Sequence, residues 1–232
     1  MESKNSDKEI LRVYRSKEEA KEVYDKLSKF YDFIAGPFEK KYQDKALKRL
    51  NVKKGEIVLE IGFGTGYCLK QIAEGVGRTG KVHGIDISFG MLSAAKKRLE
   101  EANLIERVEL YCGDALRLPY KSNKFDAVFM SFTLEHFDTP EIPVVLKEIK
   151  RVLKPRGRLC VVSLSKENGD SKMIKLYEWA HTKFPKYIDC RPIYVEQLVK
   201  NVGFMIKYKG KEKPFGLPME IVVGKKGDGK PL

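Results

Sequence analysis

Three glycines stand close together in Glu60-Ile61-Gly62-Phe63-Gly64-Thr65-Gly66. Glycines at that spacing let a backbone turn sharply and approach a ligand closely. The spacing lacks the last glycine of the dinucleotide pattern Gly-x-Gly-x-x-Gly, which argues against a pyrophosphate. A P-loop is excluded too, because its Lys and Ser/Thr are missing. Glu60 sits two residues before the first glycine, where a carboxylate repels phosphate and suits a ligand carrying an ammonium and a sulfonium. Two unit charges near 4 Å interact by about 4 kcal/mol at an effective dielectric of about 20. The plain alternative is that Glu60 braces the loop through backbone N–H groups, and the two roles are compatible. Asp86 in Gly84-Ile85-Asp86-Ile87-Ser88 is placed to accept bonds from ribose hydroxyls. Its alternative is a helix cap, for which Ser88 is the better candidate. Asp114, in Gly113-Asp114-Ala115, falls on the same rim and is placed to meet an adenine amino group.

The elements that must hold these residues follow from hydrophobic patterning. Apolar strands are expected at 57–61, 81–86, 108–112, 125–131 and 158–164. Helices between them run over 67–76, from Ser88 through Met91, Leu92, Ala95 and Leu99, and from Thr139-Pro140 to about Lys154-Pro155. Near-continuous apolar strands alternating with helices mean a mostly parallel, doubly wound α/β sheet covered on both faces. Two helices precede this core. Ser16-Lys17-Glu18-Glu19 is a capping box opening the first, which runs to Ile34 and is ended by Gly36-Pro37. The second spans 38–50. After 164 the pattern changes to helices at 171–184 and 195–202, then strands at 204–208 and 219–223, and a frayed tail from 224. One domain over 1–232 is expected: an N-terminal helical lid (1–50), a ligand-binding core (51–165), and covering helices with the last strands (166–232).

The chain has 232 residues, 42% of them hydrophobic, and a net charge of +13. It is therefore globular in composition rather than disordered. No apolar run reaches membrane-spanning length, and the polar N-terminus has no signal-peptide stretch, so a cytoplasmic location is expected, with peripheral membrane contact left open. The positive charge suits nucleic acid or an anionic surface. The bland alternative is solvation, since the lysines are spread along the chain and interleaved with glutamates. Cys68, Cys112, Cys160 and Cys190 lack metal-ligand spacing, so no metal site and no disulfide framework is expected; Cys112 and Cys160 read as buried thiols.

Taken together, Glu-Ile-Gly-Phe-Gly-Thr-Gly, Gly84-Ile85-Asp86-Ile87-Ser88 with Met91-Leu92, Gly113-Asp114-Ala115 with Leu118-Pro119, Phe125-Asp126-Ala127-Val128 and the run from Arg151 to Leu159 resemble the class I S-adenosylmethionine-dependent methyltransferases. The nearest group is the ubiquinone/menaquinone-biosynthesis methyltransferases. The resemblance implies a seven-stranded Rossmann-like sheet whose last strand runs antiparallel, with S-adenosylmethionine as cofactor. It implies cofactor contacts at Thr65, Asp86, Asp114, Ala115 and Ser131. With the residues around them the expected cofactor set is Tyr24, Glu60, Gly62, Gly64, Thr65, Gly66, Asp86, Ile87, Met91, Asp114, Ala115 and Ser131. The quinone methyltransferases carry an Arg-Asn pair after strand four; here Glu135-His136 stands there, which leaves the acceptor open.

Methyl transfer from a sulfonium needs alignment more than a base. His136, following strand four, is the candidate catalytic and substrate-contacting residue, against the alternative that Glu135-His136 pins its loop. Tyr177 and His181 are candidate substrate contacts on the covering helix, amid Trp179, Phe184, Tyr187 and Tyr194; ordinary packing is the alternative. Tyr24 and Tyr31 are placed to close the pocket as a lid or to pack in the core. The expected activity is methylation of a small-molecule or lipid-like, quinone-type acceptor. The competing readings are a nucleic-acid methyltransferase and a non-catalytic cofactor binder. The Asn/Asp-Pro-Pro-aromatic signature of exocyclic-amine methylation is absent after strand four, where Ser131-Phe132-Thr133-Leu134 stands.

Overall fold

The computed structural model describes residues 10–13, 15–34, 36–167, 172–184, 188, 190–212 and 217–228. Among them, seven strands form one sheet: β1 (Ile57–Ile61), β2 (Lys81–Asp86), β3 (Val108–Cys112), β4 (Phe125–Ser131), β5 (Leu153–Leu164), β6 (Met205–Glu212) and β7 (Met219–Lys225). Their order is β3-β2-β1-β4-β5-β7-β6. The first five run parallel, and β7 is antiparallel to β5 and β6 on either side. The strand order reverses between β1 and β4, and the glycine loop leaves β1 at that point, where open parallel sheets bind ligands.

Alternate residues of the central strands feed two cores. Val58, Phe129, Cys160 and Val162 pack on one face with α3 (Gly36–Leu50), α4 (Tyr67–Val76) and α5 (Phe89–Glu101). Leu59, Val128, Met130 and Val161 pack on the other with α6 (Ile142–Val152) and α8 (Val195–Asn201). Both faces are covered, which is why these strands read as continuous apolar runs. Along α6, Ile142, Val145, Leu146, Ile149 and Val152 are all buried. That spacing is one helical stripe, and each such side chain contributes about 1.5–3 kcal/mol on burial.

The N-terminal helices differ from expectation. The capping box forms, with Ser16 and Glu19 bonding each other's backbone, but α1 (Lys17–Leu27) stops at Ser28. Ser28 turns its hydroxyl back onto the Asp25 carbonyl, 2.8 Å away, and the chain restarts as a short α2 (Tyr31–Ile34). Hydroxyl side chains compete with helical pairing in this way. Gly36-Pro37 opens α3 instead of closing a helix, since proline costs no hydrogen bond in a first turn. Likewise α6 starts at Ile142, not at Thr139-Pro140, and Pro143 occupies its first turn. The Thr139 hydroxyl is drawn away to the Leu11 carbonyl, 3.0 Å off. β5 begins five residues before the expected 158, because Leu153 pairs with Phe125 before a bulge restores register at Arg158. Arg156 takes a positive φ of 63° within this excursion. Gly224 and Lys225 belong to β7 rather than to a tail, and Asp228 pairs with Arg156. Cys160 is buried as expected, whereas Cys112 is partly exposed. The covering helix is α7 (Lys172–Lys183). Ser171 and Tyr187 lie outside the described residues.

Candidate active site

A cavity of about 350 Å³ opens at the carboxyl ends of β1, β2, β3 and β4. Gly62 and Gly64 floor it, with φ of 69° and 52°. A Cβ on Gly64 would meet nothing within 4 Å, so the backbone there faces open space. A Cβ on Gly62 would stand 2.3 Å from the Thr133 side chain, so glycine is required for the β1 and β4 loops to meet. Gly66 lines neither cavity; its missing Cβ lets α4 pack on Ala95 of α5.

Asp86, at the tip of β2, accepts the amide of Gly64 on one oxygen and that of Ser88 on the other, each at 2.9 Å. Ser88 caps α5 by accepting the Met91 amide. Asp86 therefore braces the loop while lining the cavity beside Ile87 and Met91. Burial raises its pKa. Asp114 and Ala115 follow β3 and line the same wall. One Asp114 oxygen takes the Leu116 amide at 2.9 Å and the other the Lys17 ammonium at 2.7 Å. Phe132, at the end of β4, is held at a positive φ of 49°, a strained conformation of the kind found at functional sites.

Glu60 is 2% exposed and borders a smaller cavity of about 40 Å³ beneath the glycine loop. Its Oε2 has no hydrogen-bond partner among the described residues, nor has the buried Oγ of Ser131, which borders both cavities. Burial and the nearby Asp86 push the Glu60 pKa well up. Glu39 of α3 lines the same small space and is pushed by burial to about 7. Tyr31 and Gln43 donate to its two oxygens. A buried carboxylate without a partner is costly, and a cationic group in this space relieves the cost. The donor set thus fits a ligand with a positively charged end. Thr65 lines the small cavity as well, with its hydroxyl donated to Asp32 at 2.6 Å and bonded by Arg98.

Aromatic side chains line the larger cavity as well. Tyr24, Tyr31, Phe132, Phe137 and His136 all line it. His136 and Tyr24 meet edge to face, with centroids 5.8 Å apart. Of the pair after β4, His136 faces the cavity while Glu135 is fully buried, taking the Leu164 amide at 3.3 Å. Tyr177 and His181 are not on the cavity wall. Tyr177 bonds Cys190, and His181 is buried between the carbonyls of Ile188 and Arg12. They share the inward stripe of α7 with Ile174, so packing sets their direction.

Several wall residues were not apparent from the sequence. Val13, Arg15 and Lys17 come from the N-terminal segment, and Asp138 and Glu141 from the approach to α6. Asp138 binds Arg12 through both oxygens and also takes the Val13 amide, and its pKa falls to about 2 chiefly through the Arg12 bond. Fully buried Arg191 donates to the carbonyls of Leu11 and Glu135 and to the Thr139 hydroxyl. Burial lowers its pKa to about 10. A polar clamp thus fixes residues 10–13, of which Val13 lines the cavity. No local sequence signal marks these partners, which lie between 52 and 180 residues apart.

Residues 58–157 match a family described as a methyltransferase domain. The demethylmenaquinone methyltransferase of Oceanobacillus iheyensis is 37% identical over 143 residues, 62% of this chain and 59% of that protein. The chain therefore spans about three-fifths of that relative's length. Among solved structures, the [4+2]-cyclase SpnF superposes with a TM-score of 0.74 at 20% identity, covering 93% of this chain and 98% of that one. A SAM-dependent methyltransferase from Aquifex aeolicus gives 0.63 at 24% identity, covering 88% and 97%. These superpositions establish the fold.

Proposed function

We propose that this chain, whose residues 58–157 match a methyltransferase domain, is a class I S-adenosylmethionine-dependent methyltransferase that acts on a small lipid-like acceptor of quinone type. The observation that carries the reading is the mixed lining of the cavity: acidic groups and open glycine backbone together with aromatic rings. The demethylmenaquinone methyltransferase relative supports a flat, apolar acceptor.

When bound, S-adenosylmethionine supplies a methyl group on a sulfonium, open to in-line displacement. Asp86 is suited to ribose hydroxyls with the lone pairs its two amide bonds leave, Asp114 and Ala115 to the base, and Glu60 with Ser131 to the charged amino-acid end. Ile87 and Met91 offer apolar contact, and Tyr24 closes the cofactor side. The rings of Phe132 and Phe137 exclude water and hold a planar acceptor in one orientation. Orientation of this kind supplies about 7–11 kcal/mol of barrier reduction. His136, on the same wall, accepts the proton that a hydroxyl or ring carbon of the acceptor sheds. The test is incubation with methyl-labelled cofactor and a demethylated naphthoquinol, read by mass spectrometry. A labelled quinol supports the proposal; cofactor binding with no labelled quinol overturns the acceptor assignment, and the same incubation with cell extract in place of the quinol, if it labels no lipid or RNA, identifies a binder that does not transfer methyl. The SpnF superposition makes that outcome worth measuring, since one fold hosts several chemistries.

A further inference from the structure

One helix turns apolar side chains to both sides. Ile174 and His181 on one face of α7 are buried. On the other, Met173, Leu176 and Trp179 are 40%, 56% and 53% exposed, and Phe184 just past the helix is 52% exposed. Trp179 and Phe184 meet edge to face at 6.2 Å. Helical spacing places Met173, Leu176 and Trp179 along one side, and the ring contact joins Phe184 to Trp179. The exposed Lys172 and Lys183 fall on the same side. Large apolar groups left in water as a contiguous patch mark an interaction surface.

We propose that this face of α7 docks on an anionic lipid bilayer. Tryptophan and phenylalanine flanked by lysines is the composition of a helix lying in the membrane interface, where the rings enter the headgroup boundary and the ammonium groups meet lipid phosphates. Lysine is depleted at protein–protein interface cores, which argues against a second copy as occupant. The net charge of +13 draws the whole molecule toward an anionic surface. The helix has 12 residues, too few to span, and no helix among the described residues is long and apolar enough to cross a membrane. The buried side of α7 reaches the N-terminal segment, where His181 bonds the carbonyl of Arg12 and the next residue, Val13, lines the cavity. Docking through α7 therefore sets the substrate cavity close to the bilayer that holds a lipid-like acceptor. In that last respect the inference rests on the proposed function; its test does not.

Trp179 is the only tryptophan in the chain and serves as the reporter. The full chain is mixed with vesicles of phosphatidylcholine, with or without phosphatidylglycerol. Expected are a blue shift of emission and quenching by bromine-labelled acyl chains with the anionic vesicles only, reversed by salt. Leu176→Asp, at an exposed position, should weaken co-sedimentation by about tenfold or more while cofactor binding stays unchanged. Unshifted emission with anionic vesicles overturns the proposal. So does a protein that light scattering shows to be dimeric and that Leu176→Asp makes monomeric, since a second copy then covers the face. Vesicle binding without methylated quinol leaves docking standing and removes the acceptor assignment; turnover of a water-soluble quinol without vesicle binding does the reverse.

Discussion

The Asp86 carboxylate holds the Gly64 amide at 2.9 Å, so the tip of β2 fixes the loop that leaves β1. The bond couples two jobs in one residue: Asp86 shapes the glycine loop and also lines the cavity that the loop floors. Replacing it with alanine leaves the Gly64 and Ser88 amides without that partner. Loss of about 1–3 kcal/mol of stability is expected, with cofactor affinity reduced at least about a hundredfold. Thermal unfolding and titration calorimetry measure the two effects separately. Unchanged affinity in a folded Asp86→Ala protein would remove Asp86 from the cofactor site.

Glu60 makes the chemistry depend on pH in a fixed direction. Its pKa is raised in the folded, empty protein by burial and by Asp86, so it holds its proton to higher pH than an exposed glutamate. A cationic group beside it favours the charged form, so binding expels the proton. Affinity for the cofactor should rise with pH until the empty protein ionises Glu60 unaided. Calorimetry in two buffers of different ionisation enthalpy reads the released proton directly. Stability runs the other way. A carboxyl that binds its proton more tightly folded than unfolded stabilises below the unfolded pKa, and that contribution is lost as pH rises through the folded value. Glu60→Gln should therefore be more stable than the parent at neutral pH without cofactor, yet bind cofactor more weakly. A variant that binds as well as the parent and releases as many protons excludes Glu60 as the cation's partner.

Much of this site was legible because parallel sheets deliver ligand contacts from strand ends. Gly62, Gly64, Asp86, Asp114 and Ser131 each close or follow a strand whose apolar run is plain in the sequence, and all line the cavity. Val13, Arg15 and Lys17 were not legible as wall, since Lys17 is held by ion pairs with Asp114 and Glu141 and the Val13 amide by Asp138, which no local pattern encodes. Arg191 is harder still: a lone arginine in a loop reads as solvated, yet it is fully buried on carbonyls. Tyr177 and His181 do not line the cavity because the inward stripe of α7 packs on the protein, while an aromatic-rich helix reads alike from either face.

Arg191 leads to a prediction about the N-terminal segment. It bonds Leu11, Glu135 and Thr139, and Thr139 bonds Leu11 in turn. Arg191→Met keeps much of the volume and removes every donor. A loss of about 2–4 kcal/mol is expected, from charge-assisted bonds broken in a buried place. Residues 10–13 should then exchange their amide hydrogens faster than β1 or β4, and KM for the acceptor should rise more than kcat falls. Uniform acceleration of exchange across the sheet would mean that Arg191 supports the whole fold instead of this segment.

His136 separates positioning from proton transfer. It lines the acceptor wall and packs edge to face on Tyr24. His136→Phe keeps a ring for that contact and cannot take a proton; His136→Gln keeps a hydrogen-bonding group and loses the ring. If His136 accepts the acceptor's proton, both variants lower kcat by about 10²–10⁴-fold with little change in KM, and the acid limb of the pH–rate profile disappears. If the ring only shapes the wall, His136→Phe stays within about threefold of the parent in kcat, because its edge-to-face contact survives, and His136→Gln raises KM. Single-turnover rates with labelled cofactor and a naphthoquinol distinguish these outcomes, because they read the chemical step apart from product release.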